Sequence, residues 1–174
     1  FEEHERWDDL VQLKEHAIEQ VLDVEERQVL LFDAARLYSE HLGRDDDAAQ
    51  ALTRILDESP ESREALGRLE GIYRAAERWD DVEDTYRRWL EVATPPDEST
   101  AVRYRLAHLQ ASVQHDYHAA LETARAALGE KDRHVRTVEL LEELLVSDEL
   151  PIDEAVQIRA QAADLLDGVY DDST

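Results

Sequence analysis

Groups of aspartate recur along the chain, at Asp8-Asp9, Asp45-Asp46-Asp47 and Asp80-Asp81. Adjacent carboxylates are side chains that general acid–base catalysis and hard cations use. Each group, however, stands where the second helix of a predicted helix pair begins. At such a position a carboxylate accepts hydrogen bonds from free backbone N–H groups and faces the positive end of the helix dipole. An active site rarely repeats, so we predict helix capping rather than catalysis.

A second group of residues has the types and the spacing of metal ligands. His115 and His118 are three residues apart with Asp116 between them, which is compatible with part of a zinc site. His108 could approach from the preceding helix, but no second ligand pair lies nearby in the sequence. We therefore interpret these histidines as ordinary turn residues and predict no metal and no other cofactor.

The residue types needed for other kinds of catalysis are scarce. The chain has no Cys, no serine in a nucleophile-elbow context and only two lysines, Lys14 and Lys131. Gly67 and Gly71 are four residues apart on a predicted helix, and no Gly-rich turn surrounds them. They indicate close helix packing or a bare groove floor rather than a phosphate loop. We predict that the chain is not an enzyme.

The net charge limits the kinds of partner. With 43 acidic and 19 basic residues the chain carries a charge of -24, which disfavours nucleic acid and anionic membranes through long-range repulsion. No apolar run approaches the ~18 residues of a membrane span. Richness in Ala, Arg and Asp suggests a bacterial protein, and we expect it in the cytoplasm. The first residues, Phe1 to His4, read like the end of a helix, so we expect a fragment of a longer protein that could have lost an export signal.

A repeat organises the chain. Arg6-Trp7-Asp8-Asp9-Leu10 returns almost unchanged as Arg78-Trp79-Asp80-Asp81-Val82. Weaker copies lie between and after them, and the spacings between successive copies are 38, 34, 38 and 35 residues, a mean of about 36. The small or apolar residues that anchor the five copies are Leu10, Ala48, Val82, Ala120 and Ala155.

Helical periodicity fills each repeat with two helices. Apolar residues recur three and four positions apart, strand-like alternation is rare, and Gly43 and Pro60 mark helix ends. We predict an all-α single domain over residues 1–174, with a half unit at 1–23 and full units near 25–59, 61–94, 97–130 and 132–168. The first helix is predicted from Asp8 to Val21, and the tail from Asp167 to Thr174 is predicted to fray.

These units resemble tetratricopeptide repeats. The second unit carries the resemblance best, through Leu31, Ala34-Ala35, Tyr38, Gly43, Ala48, Leu52, Ile55-Leu56 and Pro60. The resemblance implies an α-α superhelix of antiparallel helix pairs, in which small residues allow close approach and Trp7 and Trp79 fill gaps beside the turns. It also implies a non-catalytic scaffold or adaptor for protein–protein interaction. The Lys and Asn residues with which some members clamp a terminal carboxylate are absent here, since the chain has no Asn.

In this family the first helix of each unit lines a concave groove. The positions that align with that groove are Phe32, Arg36, Ser39, Glu40, Gly67, Gly71, Arg74, Tyr104, His108 and Ala111. Such a groove could hold a peptide or a helix through aromatic anchors and arginine hydrogen bonds. The arginines could instead pair only with the abundant acids of the chain itself.

Two other functions remain open at this stage. The end units could stack on other copies of the chain, which would make it a self-assembly module. The chain could also be a regulatory repeat segment of a larger enzyme or sensor protein. The identity of the partner does not follow from the sequence.

Overall fold

The structure of the protein, a computed structural model, describes residues 2–130, 134–148 and 150–171. Within these ranges its regular elements are helices, which are joined by turns. The elements are α1 (Glu2–Gln20), α2 (Val24–Leu37), a π-helix (Tyr38–Leu42), α3 (Asp45–Glu58), α4 (Arg63–Ala75), α5 (Trp79–Val92), α6 (Asp97–Ser112), α7 (Tyr117–Glu130), α8 (Val135–Val146) and α9 (Ala155–Asp171). None of the helices in these ranges has the length and apolar composition needed to cross a bilayer. The predicted all-α class is confirmed.

The helix boundaries differ from the predicted ones at both ends of the chain. Helix α1 begins at Glu2, so Asp8 and Asp9 lie inside it, and the prediction that they cap its start is wrong. Helix α9 continues to Asp171, so the predicted fraying is wrong for 167–171, while 172–174 lie outside the described residues. Periodicity locates a helix better than it locates the ends, which depend on local capping.

The chain forms two compact units, Phe1–Thr85 and Tyr86–Thr174, and the division falls within α5. In the first unit, α2 packs against both α1 and α3, and α3 also packs against α4. The apolar stripes of these helices meet in a core whose fully buried side chains include Ile18, Leu31, Leu52, Ile55, Leu56 and Leu66. Ala48, a predicted anchor residue, is also fully buried, and its small side chain permits close approach of the helices.

The second unit has a core of its own. Helix α6 packs on α7 and α8 on α9, and α7 also contacts both α8 and α9. Ala120, Ala124 and Leu128 of this core are repeated 38 residues later by Ile158, Ala162 and Leu166. The predicted fifth anchor, Ala155, is half-buried and packs against this core, and Ile158, three residues later, is fully buried.

A residue with left-handed backbone follows the first helix of three successive pairs. These residues are Gly43 (φ 62°), Glu77 (φ 54°) and His115 (φ 55°). The amide of the next residue then donates back to the end of that helix: Arg44 to the Tyr38 carbonyl at 2.9 Å, Arg78 to the Tyr73 carbonyl at 2.8 Å, and Asp116 to the Gln110 carbonyl at 2.8 Å. Gly43 ends its helix as predicted. Glu77 and His115 adopt the same conformation without the glycine that would have revealed it.

Candidate functional site

A cleft of about 330 Å³ opens on the first unit between α2, its π-helical extension and α4. Its apolar floor comes from Ala35, Leu52, Ile72 and Ala75. Its polar rim consists of Arg36, Ser39, Glu40, Asp45 and Arg68, and Gly71 leaves one side bare. A concave site with an apolar floor and a few polar groups has the usual composition of a binding site.

The arginines on the rim already have partners. Arg36 Nη2 lies 3.5 Å from the Asp33 carboxylate, and Arg68 Nη2 lies 2.7 Å from the Glu64 carboxylate. The Arg68 guanidinium also stacks over the Phe32 ring, 4.9 Å from its centroid. The alternative that the groove arginines pair with acids of the chain agrees with the contact of Arg36, and Arg68, which was not a predicted groove residue, is paired in the same way. Because the pairs are exposed, each contributes at most about 1 kcal/mol.

The two carboxylates on the rim, unlike the arginines, have no side-chain partner among the described residues. Glu40 and Asp45 are both exposed, and within the described part of the chain neither has a hydrogen-bonding or ion-pairing side chain as partner. A larger, shallower depression lined by Asp45, Asp46 and Asp47 shares Asp45 and Ile72 with the cleft. The cleft therefore continues into an acidic surface at the start of α3.

The repeat explains why the cleft is open at this place. Asp45 occupies the position that holds Trp7 and Trp79 in the neighbouring copies. In the first copy the Trp7 ring stacks on His41, with ring centroids 4.1 Å apart and planes 13° apart. Counted back from the left-handed residues Gly43 and Glu77, the equivalent of His41 in the next unit is Ala75, which lines the cleft. An indole–imidazole contact is thus replaced by Asp45 and Ala75, which leaves free volume.

The predicted groove residues of the first unit lie as follows. Arg36, Ser39, Glu40 and Gly71 line the cleft. Phe32 is half-buried under Arg68, Arg74 is exposed and lies 3.6 Å from the Glu70 carboxylate, and Gly67 is exposed on α4. A Cβ atom on Gly67 or Gly71 would meet nothing within 4 Å, so the interpretation of these glycines as close-packing residues is wrong and the bare surface remains.

Six residues that line the cleft were not among the predicted groove residues, namely Ala35, Asp45, Leu52, Arg68, Ile72 and Ala75, although the sequence carried a signal for four of them. Arg68 belongs to the same helical stripe of α4 as Ile72 and Ala75, three or four residues apart. Asp45 breaks the Trp pattern of the repeat. These signals are differences between the repeat units, whereas the groove residues were predicted from the positions that all units have in common.

In the second unit the predicted groove residues differ in burial. Ala111 is 3% exposed and belongs to the core with Tyr117 and Ala120, so its prediction as a partner-binding residue is wrong. Tyr104 and His108 are half-buried with ring centroids 6.0 Å apart. The Tyr104 ring also lies 6.0 Å from the His134 ring and 5.9 Å from the Arg136 guanidinium. This aromatic and cationic cluster was not predicted as a unit, because His134 and Arg136 come from another helix pair.

Two arginines that precede the aspartate groups connect successive helix pairs. Arg44 Nε lies 2.7 Å from Asp47 of its own copy, its Nη1 lies 3.4 Å from Asp8 of the preceding copy, and its guanidinium covers the Tyr38 ring at 4.8 Å. Arg78 repeats the arrangement with Asp81 at 2.7 Å, Asp46 at 2.5 Å and the Tyr73 ring at 4.7 Å. The aspartate two positions after the arginine position of a copy therefore binds the arginine of the next copy, and the aspartate three positions after an arginine binds that arginine.

The other aspartates and histidines that were considered for catalysis or metal binding contact neighbouring groups of the chain. Asp116 accepts a 3.0 Å hydrogen bond from the Ala119 amide and so caps the start of α7. At α3 the residue before the helix is Arg44, whose side chain makes no capping bond, and the aspartates instead occupy the first turn. His115 Nδ1 lies 3.3 Å from the Tyr117 hydroxyl, and His118 Nε2 lies 3.2 Å from Glu154. No group of three or more possible metal ligands occurs among the described residues.

Comparisons with known proteins identify the fold. No protein-family model and no curated protein sequence matches the chain. Two solved structures are similar to it, "Crystal structure of MamA" (17% identity, TM-score 0.54, covering 95% of this chain and 91% of that one) and "Crystal structure of MamA protein" (17% identity, TM-score 0.53, covering 98% and 91%). At this level of identity the likeness concerns the fold alone. The chain therefore has an all-α, tetratricopeptide-like fold of the α-α superhelix class.

Proposed function

We propose that this chain is a protein–protein interaction scaffold that binds a peptide or a helix in the cleft between α2 and α4. The observation that carries the proposal is the meeting of four predicted groove residues, Arg36, Ser39, Glu40 and Gly71, around one apolar floor. A cleft of about 330 Å³ accommodates a few side chains of a partner rather than a whole domain. The bare surface at Gly71 lets a partner backbone approach closely.

Tyr104 and His108 form a second candidate contact on the other unit. Together with His134 and Arg136 they offer aromatic faces and a cation, which are residue types enriched at binding hot spots. The three rings are half-buried and Arg136 is exposed, and Tyr104 packs against the core of this unit, so part of each residue stays accessible to a partner. In this proposal the cytoplasmic scaffold uses no cofactor and performs no catalysis.

Filling the cleft tests the binding proposal. Peptides that bind the chain are first selected from a random displayed library, and their affinities are then measured by fluorescence polarisation. Gly71→Gln places a side chain over the floor, and Asp45→Trp restores the indole of the neighbouring copies. Both variants should weaken binding at least tenfold. Gly168→Gln on α9, where an added side chain also meets open space, is the matched control and should bind like the parent chain. Unchanged binding by both cleft variants would refute the proposal.

Self-assembly is the second candidate function, and a separate observation favours it. Three large aliphatic side chains are exposed within eleven residues of sequence: Val146 (77%) at the end of α8, Ile152 (97%) in the following turn and Val156 (80%) at the start of α9. Exposed aliphatic groups of this kind are typical of interfaces. Sedimentation velocity over a hundredfold range of concentration should then show association, and Ile152→Gln combined with Val156→Gln should abolish it. A monomer at all concentrations would exclude this function.

A further inference from the structure

We infer that the occupant of the cleft is a segment of a partner protein that places a lysine or arginine beside a small apolar side chain. The inference rests on the proposed function, since it concerns the same cleft, and it names the chemistry of the partner. It departs from the arginine-centred recognition expected from the sequence. Three features of the first unit support it: the pairing state of the charges, their arrangement along the cleft, and the depression that continues from it.

The pairing state decides which charge of the cleft is available. Arg36 lies 3.5 Å from Asp33, which Lys14 also contacts at 2.8 Å, and Arg68 lies 2.7 Å from Glu64. An acidic partner would therefore compete with carboxylates of the chain for both arginines. Glu40 and Asp45 carry no such counter-charge among the described residues. A basic side chain would gain a new ion pair at these carboxylates without breaking an existing one.

The arrangement of charges gives the occupant a direction. Arg36 comes one helical turn before Glu40 in the chain, so the paired arginine and the unpaired carboxylate occupy successive turns of the same wall. Glu40 lies near the C-terminal end of the continuous α2 and π-helical segment, where the helix dipole adds negative potential. The apolar floor therefore receives the small side chain, and the acidic end receives the cation.

The neighbouring depression extends the negative potential. It contains Asp45, Asp46 and Asp47 together with Arg44 and Arg78, and both arginines are engaged in the ion pairs between helix pairs. The whole chain carries a charge of -24, so long-range attraction also favours a basic partner and opposes a second copy of this chain.

Three twelve-residue peptides that differ at one position test the inference. Each carries a central Leu-Ala pair followed by Lys, Gln or Glu, and affinities are measured by fluorescence polarisation at 50 and 500 mM NaCl. We expect the order Lys, then Gln, then Glu, with a gap of about two- to fivefold between Lys and Gln at low salt that narrows at high salt. Glu40→Gln and Asp45→Asn together should remove this gap. Glu25→Gln combined with Glu26→Gln removes the same two charges from the first turn of α2, away from the cleft, and should preserve the gap.

The outcomes separate this inference from the proposed function. If Gly71→Gln abolishes binding of all three peptides while the charge variants leave their order unchanged, the cleft binds peptides but the basic occupant is wrong. A preference for the Glu peptide would also overturn it. If none of the peptides binds and none competes with peptides selected from the library, the inference fails whatever those selected peptides do. Spermine that competes as well as the Lys peptide would show that charge alone suffices, which contradicts the role of the apolar floor.

Discussion

Arg78 reaches back across thirty-two residues to Asp46, with 2.5 Å between its Nη1 and the carboxylate oxygen. Arg44 makes the equivalent contact to Asp8 at 3.4 Å, thirty-six residues earlier. In both cases the guanidinium also covers a tyrosine and binds the aspartate three positions after it in its own copy. The recurring Arg and Asp of the repeat therefore form a contact between helix pairs. This contact accounts for acidic groups that in isolation resemble catalytic pairs.

Removing one of these arginines should destabilise the first unit. Arg78→Met keeps most of the apolar stem and loses two exposed ion pairs, worth roughly 0.2–1 kcal/mol each, and a cation–π contact worth about 0.5–1 kcal/mol. We expect the free energy of unfolding in urea to fall by about 1–2 kcal/mol. The difference should shrink in 1 M NaCl, where the ion pairs are screened and the tyrosine contact persists.

Arg54→Met on the exposed surface of α3 is the control for this variant, and it should change the free energy of unfolding by less than about 0.5 kcal/mol. If Arg78→Met had no larger effect than Arg54→Met, the contact between helix pairs would have no energetic importance.

The left-handed backbone of Glu77 predicts a stabilising substitution. A non-glycine residue in this conformation costs roughly 1–2 kcal/mol, part of which is offset because glycine makes the unfolded chain more flexible. Glu77→Gly should therefore raise the free energy of unfolding by about 0.5–1 kcal/mol, as measured by thermal and urea denaturation. Glu77→Ala removes the same carboxylate and keeps the strain, so it should not stabilise. Equal effects of both variants would mean that the carboxylate, not the backbone, matters.

The fold was predictable because its cause is local and repeated. Apolar residues three and four positions apart specify helices, and the recurrence of Trp-Asp-Asp specifies similar pairs. The helix ends were harder to predict. Glu77 and His115 adopt the left-handed conformation at their turns, and only at Gly43 does a glycine in the sequence signal that conformation. In the fifth unit the anchor Ala155 is half-buried, and the fully buried residue of that turn is Ile158.

Alkaline pH should destabilise the first unit through Tyr38. Burial, and then the hydrogen bond that its hydroxyl donates to Glu15, raise the pKa of Tyr38 above its ordinary value. The neutral phenol is thus favoured in the folded state. The stabilisation that the neutral phenol gives the folded state is fully present below a pH of about 10, the pKa of tyrosine in the unfolded chain. It is lost progressively as the pH rises above that value.

We therefore expect the free energy of unfolding to fall as the pH rises from about 9.5 to about 11.5, and to fall less steeply in Tyr38→Phe. Tyr170→Phe provides a comparison at an exposed tyrosine whose hydroxyl also donates to a carboxylate, that of Glu142. Parallel pH profiles for the parent chain and Tyr38→Phe would contradict the assignment.

The candidate site was only partly predictable, because it depends on differences between units. Alignment to a common repeat pattern found Arg36, Ser39, Glu40 and Gly71. The same alignment placed Ala111 at the surface, although the last turn of α6 is covered where the chain enters α7. Pairing of charges is a property of three-dimensional neighbours, so the sequence could not show that the arginines are engaged and that Glu40 and Asp45 are not.

Alanine at the two glycines of α4 separates an open floor from a packed one. Glycine inside a helix costs about 0.5–1 kcal/mol relative to alanine, and an added Cβ at Gly67 or Gly71 would meet nothing within 4 Å. Gly67→Ala and Gly71→Ala should therefore each raise the free energy of unfolding by about that amount. Destabilisation by either substitution would contradict the open surface and would mean that another helix packs closely against α4 at that glycine. The two glycines differ in position, because only Gly71 lines the cleft. Gly71→Ala should thus be the variant that gains stability while weakening peptide binding, and Gly67→Ala should gain stability with binding unchanged.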